Sequence, residues 1–250
     1  MSRDAQELHI QVLGIGDAFT ELYHPSSFAV ISSGQKTLVD CPDALRRMLK
    51  EAGYASGLRL TEEEIDDVML THLHGDHSNG VEMYLYFKRL VQKRKPRLYG
   101  IKEVVEDLWE RKLKASMGAW GIEGGGSMVF HATDYYDGIV LSEGGSSKVG
   151  NLLVDVFRTK HSVPTSALRM THGNRTLGYS ADASFDPGLI DFLEPSDMII
   201  HEAGQGQHTE YEKLLGLPKD IRDKMFLIHL PDGFDRMEMR RLEQGRIYTV

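Results

Sequence analysis

The sequence predicts a layered α/β fold. Three observations predict it. Short apolar runs of strand length alternate with helical stretches along the chain. Five of those runs deliver a histidine or an aspartate just past their C-terminal end. The 250 residues are 41% hydrophobic and 26% charged, enough to bury a core without disulfide support. One domain over residues 1–250 is the expected organisation.

The elements follow in order. Leu8–Ile15 reads as a strand that runs into Gly14 and Gly16. Ser27–Ser32 and Thr37–Asp40 flank Ser33-Gly34, a hairpin signal. Pro42 precedes a helical stretch, Asp43–Glu51, with Leu45, Met48 and Leu49 on one face. Thr61 with Glu64 has capping-box spacing, and the acidic run 62–67 suits a helix N-terminus. Asp67–Thr71 then reads as a strand followed by His72. Leu152–Thr159 leads to His161, Thr176–Ser180 to Asp182, Asp197–Ile200 to His201, and Met225–Ile228 to His229. Helical stretches occupy about 80–91, 102–115, 187–193 and 209–215. In α/β sheets ligands gather beyond the strand ends, so these five groups can converge on one site. The glycine-rich segments 121–127 and 144–150 are expected as exposed hairpin loops, with mobile lids as the alternative.

Composition excludes several classes. A lone Cys41 leaves no disulfide framework and no cysteine-based zinc finger. The net charge of −8 argues against general nucleic-acid binding. No run approaches ~18 apolar residues, so no membrane span is expected. The first residues lack the apolar core of a signal peptide, and a cytoplasmic location is expected. Gly14-x-Gly16 lacks the third glycine of a dinucleotide fingerprint. Lys88–Arg97 carries six basic residues and no acidic one. It is read as a solvated helix face rather than a phosphate-collecting patch. Trp109 and Trp120 are read as core or interface packing rather than base stacking.

Eleven histidines are many for this length, and residues 71–77 show where they concentrate: Thr-His-Leu-His-Gly-Asp-His. Imidazole and carboxylate suit zinc, manganese or iron. One ion cannot easily use all four side chains, because Asp76 and His77 point differently from His72 and His74. Two neighbouring ions can, and Gly75 permits the tight turn that such crowding requires.

This run resembles the H-x-H-x-D-H signature of the metallo-β-lactamase fold superfamily, and His161, Asp182 and His229 follow in the order of its remaining ligands. The resemblance covers almost the whole chain. It implies a four-layer αβ/βα sandwich with a metal site at the strand ends. It further implies one metal on His72, His74 and His161, a second on Asp76, His77 and His229, and Asp182 bridging both. Zinc is the favoured metal, with manganese or iron as alternatives.

The segments Leu13–Phe19, Ser26–Phe28, Leu38–Cys41 and Ile200–Ala203 are similar to the ribonuclease Z-like phosphodiesterase branch of that superfamily. Three departures stand out. Gly204 occupies a threonine position, and Leu230-Pro231 follow His229 in place of Phe-Ser. Only twenty residues separate His161 from Asp182, leaving no room for a tRNA-gripping arm. The resemblance therefore implies a small anionic phosphodiester substrate: a cyclic nucleotide, a cyclic phosphate or a short oligonucleotide. By analogy, the chain is expected as a homodimer.

The chemistry fits that class. Two divalent ions outweigh Asp76, Asp182 and a hydroxide, so the inner site stays positive toward a phosphodiester. Bound ions acidify water to supply a hydroxide nucleophile. Asp76 is counted with the catalytic group. His201 is read as the proton donor, oriented by Glu202, against the alternative of a buried structural histidine. His208 is a candidate phosphate contact, or else merely a neighbour of a helix N-cap. Ser162, Thr165 and Ser166 are candidate substrate donors. Two other functions use the same ligands: a lactone or thioester hydrolase, and a non-enzymatic metal sensor. His9, His24, His131 and His172 receive no role.

Overall fold

The computed structural model describes residues 7–236 and 238–250. Strand β1 (Leu8–Gly14) is followed by β2 (Ser27–Ser32) and β3 (Gln35–Val39), joined antiparallel. Helix α1 (Leu45–Ser56) then leads to β4 (Ile65–Met69). Helices α2 (Gly75–Ser78) and α3 (Val81–Tyr86) precede β5 (Arg97–Gly100). Helix α4 (Lys102–Asp107) continues through a π-type turn into α5 (Lys114–Met117). Strands β6 (Ala119–Gly121) and β7 (Ser127–Val129) form a separate ribbon, and β8 (Asp137–Val140) returns to the first sheet. The second sheet begins with β9 (Ser147–Val149), β10 (Leu152–Arg158), β11 (Ser166–His172) and β12 (Arg175–Tyr179). Helix α6 (Pro187–Leu193) connects to β13 (Met198–Glu202). Helices α7 (Tyr211–Leu215) and α8 (Lys219–Arg222) lead to β14 (Met225–Ile228) and β15 (Arg240–Arg241). The last strand, β16 (Ile247–Thr249), pairs with β1.

Each sheet has seven strands, in the orders β16-β1-β2-β3-β4-β5-β8 and β15-β14-β13-β12-β11-β10-β9. Side chains alternate across a strand, and the cores follow that alternation. Phe28, Val30, Met69, Val154, Leu168, Met170 and Ile200 form one core between the sheets. Ala29, Leu38 and Val68 face the other way, onto Met48, Leu85 and Val104 of the helices. Ile199 and Leu227 likewise meet Leu189 and Leu214 on the far side of the second sheet. The order is helix, sheet, sheet, helix, which is the four-layer sandwich expected.

Parallel pairing decides where chemistry collects. β3, β4, β5 and β8 are mutually parallel, as are β12, β13, β14 and β15. The C-terminal ends of each set share an edge, and the loops from both sheets meet there.

Several expectations change. The acidic run 62–67 opens no long helix: the Thr61–Glu64 box caps a single 3-10 turn, Glu62–Glu64, and β4 starts at Ile65. The Thr61 amide donates to Glu64 Oε2 at 3.0 Å. The basic run 88–97 is not a solvated face throughout. Lys88 is fully buried on Asp66, which Arg94 also engages. Arg97 bonds Asp67, and Lys95 bonds Asp137. These pairings fasten the run to β4 and β8. Trp109 is packed in the helix-side core, and Trp120 leans on Tyr86 and Phe130. Segment 121–127 is the tip of the β6–β7 ribbon, with Gly124, Gly125 and Gly126 all in the left-handed region.

One glycine fixes the loop under the site. The Cys41 amide donates to the His77 carbonyl at 2.7 Å, and the Gly80 amide donates to the Cys41 carbonyl at 2.9 Å. A Cβ on Gly80 would lie 2.0 Å from the Pro42 carbonyl oxygen. Gly80→Ala is therefore expected to destabilise by about 2 kcal/mol and lower Tm by roughly 4–8 °C. Gly144→Ala, with no atom within 4 Å of its Cβ, should leave Tm unchanged in the same calorimetric scan.

Candidate metal centre

The histidine run leaves β4 as a loop and closes into the short helix α2. That turn places His72 and His74 on one side of the edge, with Asp76 and His77 beside them. His72 Nε2 lies 3.1 Å from His74 Nδ1, and His161 Nε2 lies 3.1 Å from the same atom. Asp182 Oδ2 is 3.7 Å from both His72 Nε2 and His161 Nε2. A second group stands alongside. Asp76 Oδ2 is 3.3 Å from His77 Nε2 and 3.2 Å from His229 Nε2. Asp182 reaches this group too, with Oδ1 3.3 Å from His77 Nε2 and Oδ2 3.6 Å from His229 Nε2. Ligand-competent atoms from two chain-distant sets thus converge on either side of one carboxylate.

These residues fit a pair of cations. His77 Nε2 and Asp182 Oδ1 are buried and have no hydrogen-bond partner. Such orphans cost ~1–3 kcal/mol each. Here they aim at one point, where a cation would take their lone pairs. The donor set is imidazole and carboxylate throughout, suited to borderline divalent metals. Burial holds His72 well below the usual imidazole range and His161 down to about 4, so both stay neutral, as ligation requires. Burial also lowers His74. Burial works to raise Asp182, yet His77 and His229 hold it well below the usual carboxylate range. Burial works likewise on Asp76, but the His229 and His77 rings beside it carry it low. His77 runs the other way. Burial opposes its charge, but Asp182 and Asp40 draw a proton onto it. A divalent cation competes for that nitrogen.

Comparison with known proteins gives the family and the fold. A family model described as anti-Pycsar protein Apyc1 matches residues 8–248. The chain belongs to the Apyc1 family. The Apyc1 protein of Paenibacillus sp. (strain J14) is 30% identical over 256 residues, covering 97% of this chain and 99% of that protein. The cAMP/cGMP-dependent 3′,5′-cAMP/cGMP phosphodiesterase B of Dictyostelium discoideum is 26% identical over 95% of this chain, which spans 22% of that longer protein. Among solved structures, the metallo-β-lactamase fold protein YhfI of Bacillus subtilis superposes with a TM-score of 0.74 at 19% identity, covering 98% of this chain and 100% of that one. The short form of human tRNase Z gives 0.69 at 20% identity, covering 96% and 98%. The fold is that of the metallo-β-lactamase superfamily, and this Apyc1-family member is a metal-dependent hydrolase. No helix among the described residues is long and apolar enough to cross a membrane.

Not every residue singled out from the sequence joins the cluster. His201 lies inside β13 rather than beyond it. Ile200 faces the inter-sheet core and Ile199 the helices. Alternation therefore turns His201 to the helix side and Glu202 to the site. The His201 Nδ1 donates to the Glu202 backbone carbonyl at 2.8 Å, and burial lowers the ring to about 4. The partner of Glu202 is instead His208, whose Nδ1 donates to Glu202 Oε2 at 2.5 Å. That bond raises the His208 pKa against the pull of burial. The His208 ring stacks on His229 at 4.9 Å and lies 5.5 Å from His161. Ser162 Oγ is 3.3 Å from His74 Nε2, so it orients a ring of the cluster. Thr165 is buried, and its hydroxyl donates to the Val163 carbonyl. Its hydroxyl proton is thus spent within its own loop. Ser166 is buried without a hydroxyl partner.

Two supporting residues went unread in the sequence as such. Asp40 is fully buried and accepts from His77 Nδ1 at 2.8 Å and from the Thr71 amide at 2.8 Å. The Thr71 hydroxyl has one proton, which goes to Asp40, so its lone pair accepts from His72 Nδ1 at 3.0 Å. Both rings are thereby fixed with Nε2 toward the cluster. The only signal was position: Asp40 ends one strand and Thr71 leaves the neighbouring one. Asp40→Ala is expected to weaken metal binding about 10–100-fold at the His77 group. Asp182→Ala should empty both groups. Metal analysis after dialysis against a graded chelator reads each outcome.

Proposed function

We propose that this chain hydrolyses a 3′,5′-cyclic nucleotide to a nucleoside monophosphate. One metal, zinc by preference, is held by His72, His74 and His161, and a second by Asp76, His77 and His229, with Asp182 between them. The observation that carries the reading is the Glu202–His208 pair beside those converging ligands. The activity for which the Dictyostelium relative is named supports the substrate class.

When bound, divalent ions supply positive charge to the phosphoryl group and lower the pKa of water. The chain's residues do the rest. Water adds to phosphorus, the P–O3′ bond breaks, and the departing alkoxide must take a proton. A ribose alkoxide is far too basic to leave unprotonated. Glu202 accepts from Nδ1 of His208, which leaves Nε2 to hold that proton. The ring is 26% exposed and lies between His161 and His229, so it reaches the open side of the site. Glu202 is held in turn: the Ala183 amide donates to its Oε1. His201 is proposed as structural, a ring that closes the back of β13.

The leaving group gives the test. His208→Ala should lower kcat on cyclic nucleotides ~10²–10⁴-fold. It should lower turnover of bis(p-nitrophenyl) phosphate much less, because nitrophenolate leaves without a proton. His201→Ala should cost stability and leave that ratio alone. Equal losses on both diesters for His208→Ala would remove it as the proton donor. A fully metal-loaded protein that turns over a lactone or thioester, and no diester, overturns the phosphodiesterase reading.

A further inference from the structure

A cleft of about 380 Å³ lies against the loops that carry the first ligand group. Leu73, between His72 and His74, forms part of one wall. Val163 and Pro164, just after His161 and Ser162, form another. Helix α4 supplies Val104 and Asp107. Lys112 closes one end, with Nζ donating to Asn79 Oδ1 at 2.9 Å and to the Leu73 carbonyl at 3.3 Å. The volume falls in the ~300–1,000 Å³ range of small-molecule sites, and the lining divides between apolar Leu73, Val104, Val163 and Pro164 and charged Glu103, Asp107, Arg111 and Lys112.

The charges in the cleft say which end of a substrate it takes. Its cations are occupied: Arg111 Nε sits 3.0 Å from Asp107 Oδ1, and Lys112 is turned to its two oxygens. Its carboxylates, Glu103 and Asp107, would repel a phosphate. Glu103 is engaged by Arg158, whereas Asp107 has one oxygen left to accept a hydrogen bond. The cleft therefore suits an uncharged, flat group with an N–H edge, joined to an anion held at the ligand loops that Leu73 and Val163 belong to.

We infer that this cleft seats the nucleobase of the substrate, its faces against Leu73 and Val104 on one side and Val163 and Pro164 on the other. Asp107 accepts from a ring or amino N–H. Every common base offers such a donor, so the cleft admits several bases. This inference rests on the cyclic-nucleotide reading and fixes how that substrate lies.

The experiment compares cyclic AMP with ribose 3′,5′-cyclic phosphate lacking a base, using metal-loaded enzyme. Val163→Trp fills the cleft, and the ratio of kcat/KM for the two diesters should fall about 10-fold or more. Asp107→Leu, on α4 and away from the ligand loops, should lower the same ratio in the event that Val163→Trp disturbs metal content. Calorimetric titration with adenosine supplies a readout apart from turnover: binding to the unaltered protein should weaken about 10-fold in each variant. An unaltered protein active on both diesters, with ratio and adenosine binding unmoved in the variants, overturns the cleft assignment alone. Inactivity of the unaltered protein on both diesters overturns the cyclic-nucleotide reading, and adenosine binding then decides the cleft separately.

Discussion

Asp182 is a carboxylate buried between two sheets, and its charge is the constraint around which the site is arranged. An isolated buried carboxylate is costly. Here His72, His77, His161 and His229 surround it, drawn from the strand ends of both sheets. Neither sheet alone supplies the set. β4 and its loop bring His72 and His77; β10, β12 and β14 bring His161, Asp182 and His229. Packing the sheets face to face over the inter-sheet core is what makes the site. A core defect between Met69 and Ile200 would thus reach the chemistry through the spacing of the two edges.

Holding that arrangement strains the backbone at particular points. Asp40, Ala181 and His229 adopt positive φ, respectively 58°, 49° and 58°. None is glycine, and each stands at the cluster or directly before a member of it. The left-handed region costs roughly 1–2 kcal/mol for such residues. The surrounding bonds offset that cost. Asp40 is held by His77 and Thr71, and the Leu230 amide after His229 donates to the Ile15 carbonyl at 2.9 Å. The N-terminal glycines belong to the same scaffold. Gly14 lets the chain pass close to His24 and Pro25, where a Cβ would sit 2.0 Å from a carbonyl oxygen. Strand β1 and the His229 loop are thereby tied into one edge.

Much of this was legible in the sequence, for identifiable reasons. Strands such as Ser27–Ser32 and Met225–Ile228, and helix Pro187–Leu193, have strong apolar runs with clear stops, and the structure has the same bounds. Ligand-competent residues just past apolar runs marked strand ends before any topology was known, except His201, which lies inside β13. Strands β5, β8 and β16 were not read, because they are short and their pairing is nonlocal. The burial of Lys88 was also unreadable. A lysine in a basic run looks solvated until a distant carboxylate, here Asp66, is folded against it.

The end of β13 shows where such reading loses accuracy. A difference of two residues in the end of β13 decides whether His201 points into the site or away from it, because strand side chains alternate. Ending the strand at Ile200 releases His201 to the site. Continuing it to Glu202 hands the inward position to the carboxylate. The apolar run Met198–Ile200 cannot distinguish these, since both continuations are polar. Two constraints from outside the strand do. The Glu202 amide donates to Ser180 Oγ at 3.0 Å, and β13 pairs with β14 through Glu202. Those bonds exist only once β12, β13 and β14 are assembled. The carboxylate they turn inward needs a proton-bearing partner, and the 204–208 loop returns the chain to provide His208. The placing of His208 beside Glu202 is thus a consequence of sheet register, settled by pairing with neighbours distant in the chain rather than by the residues around it.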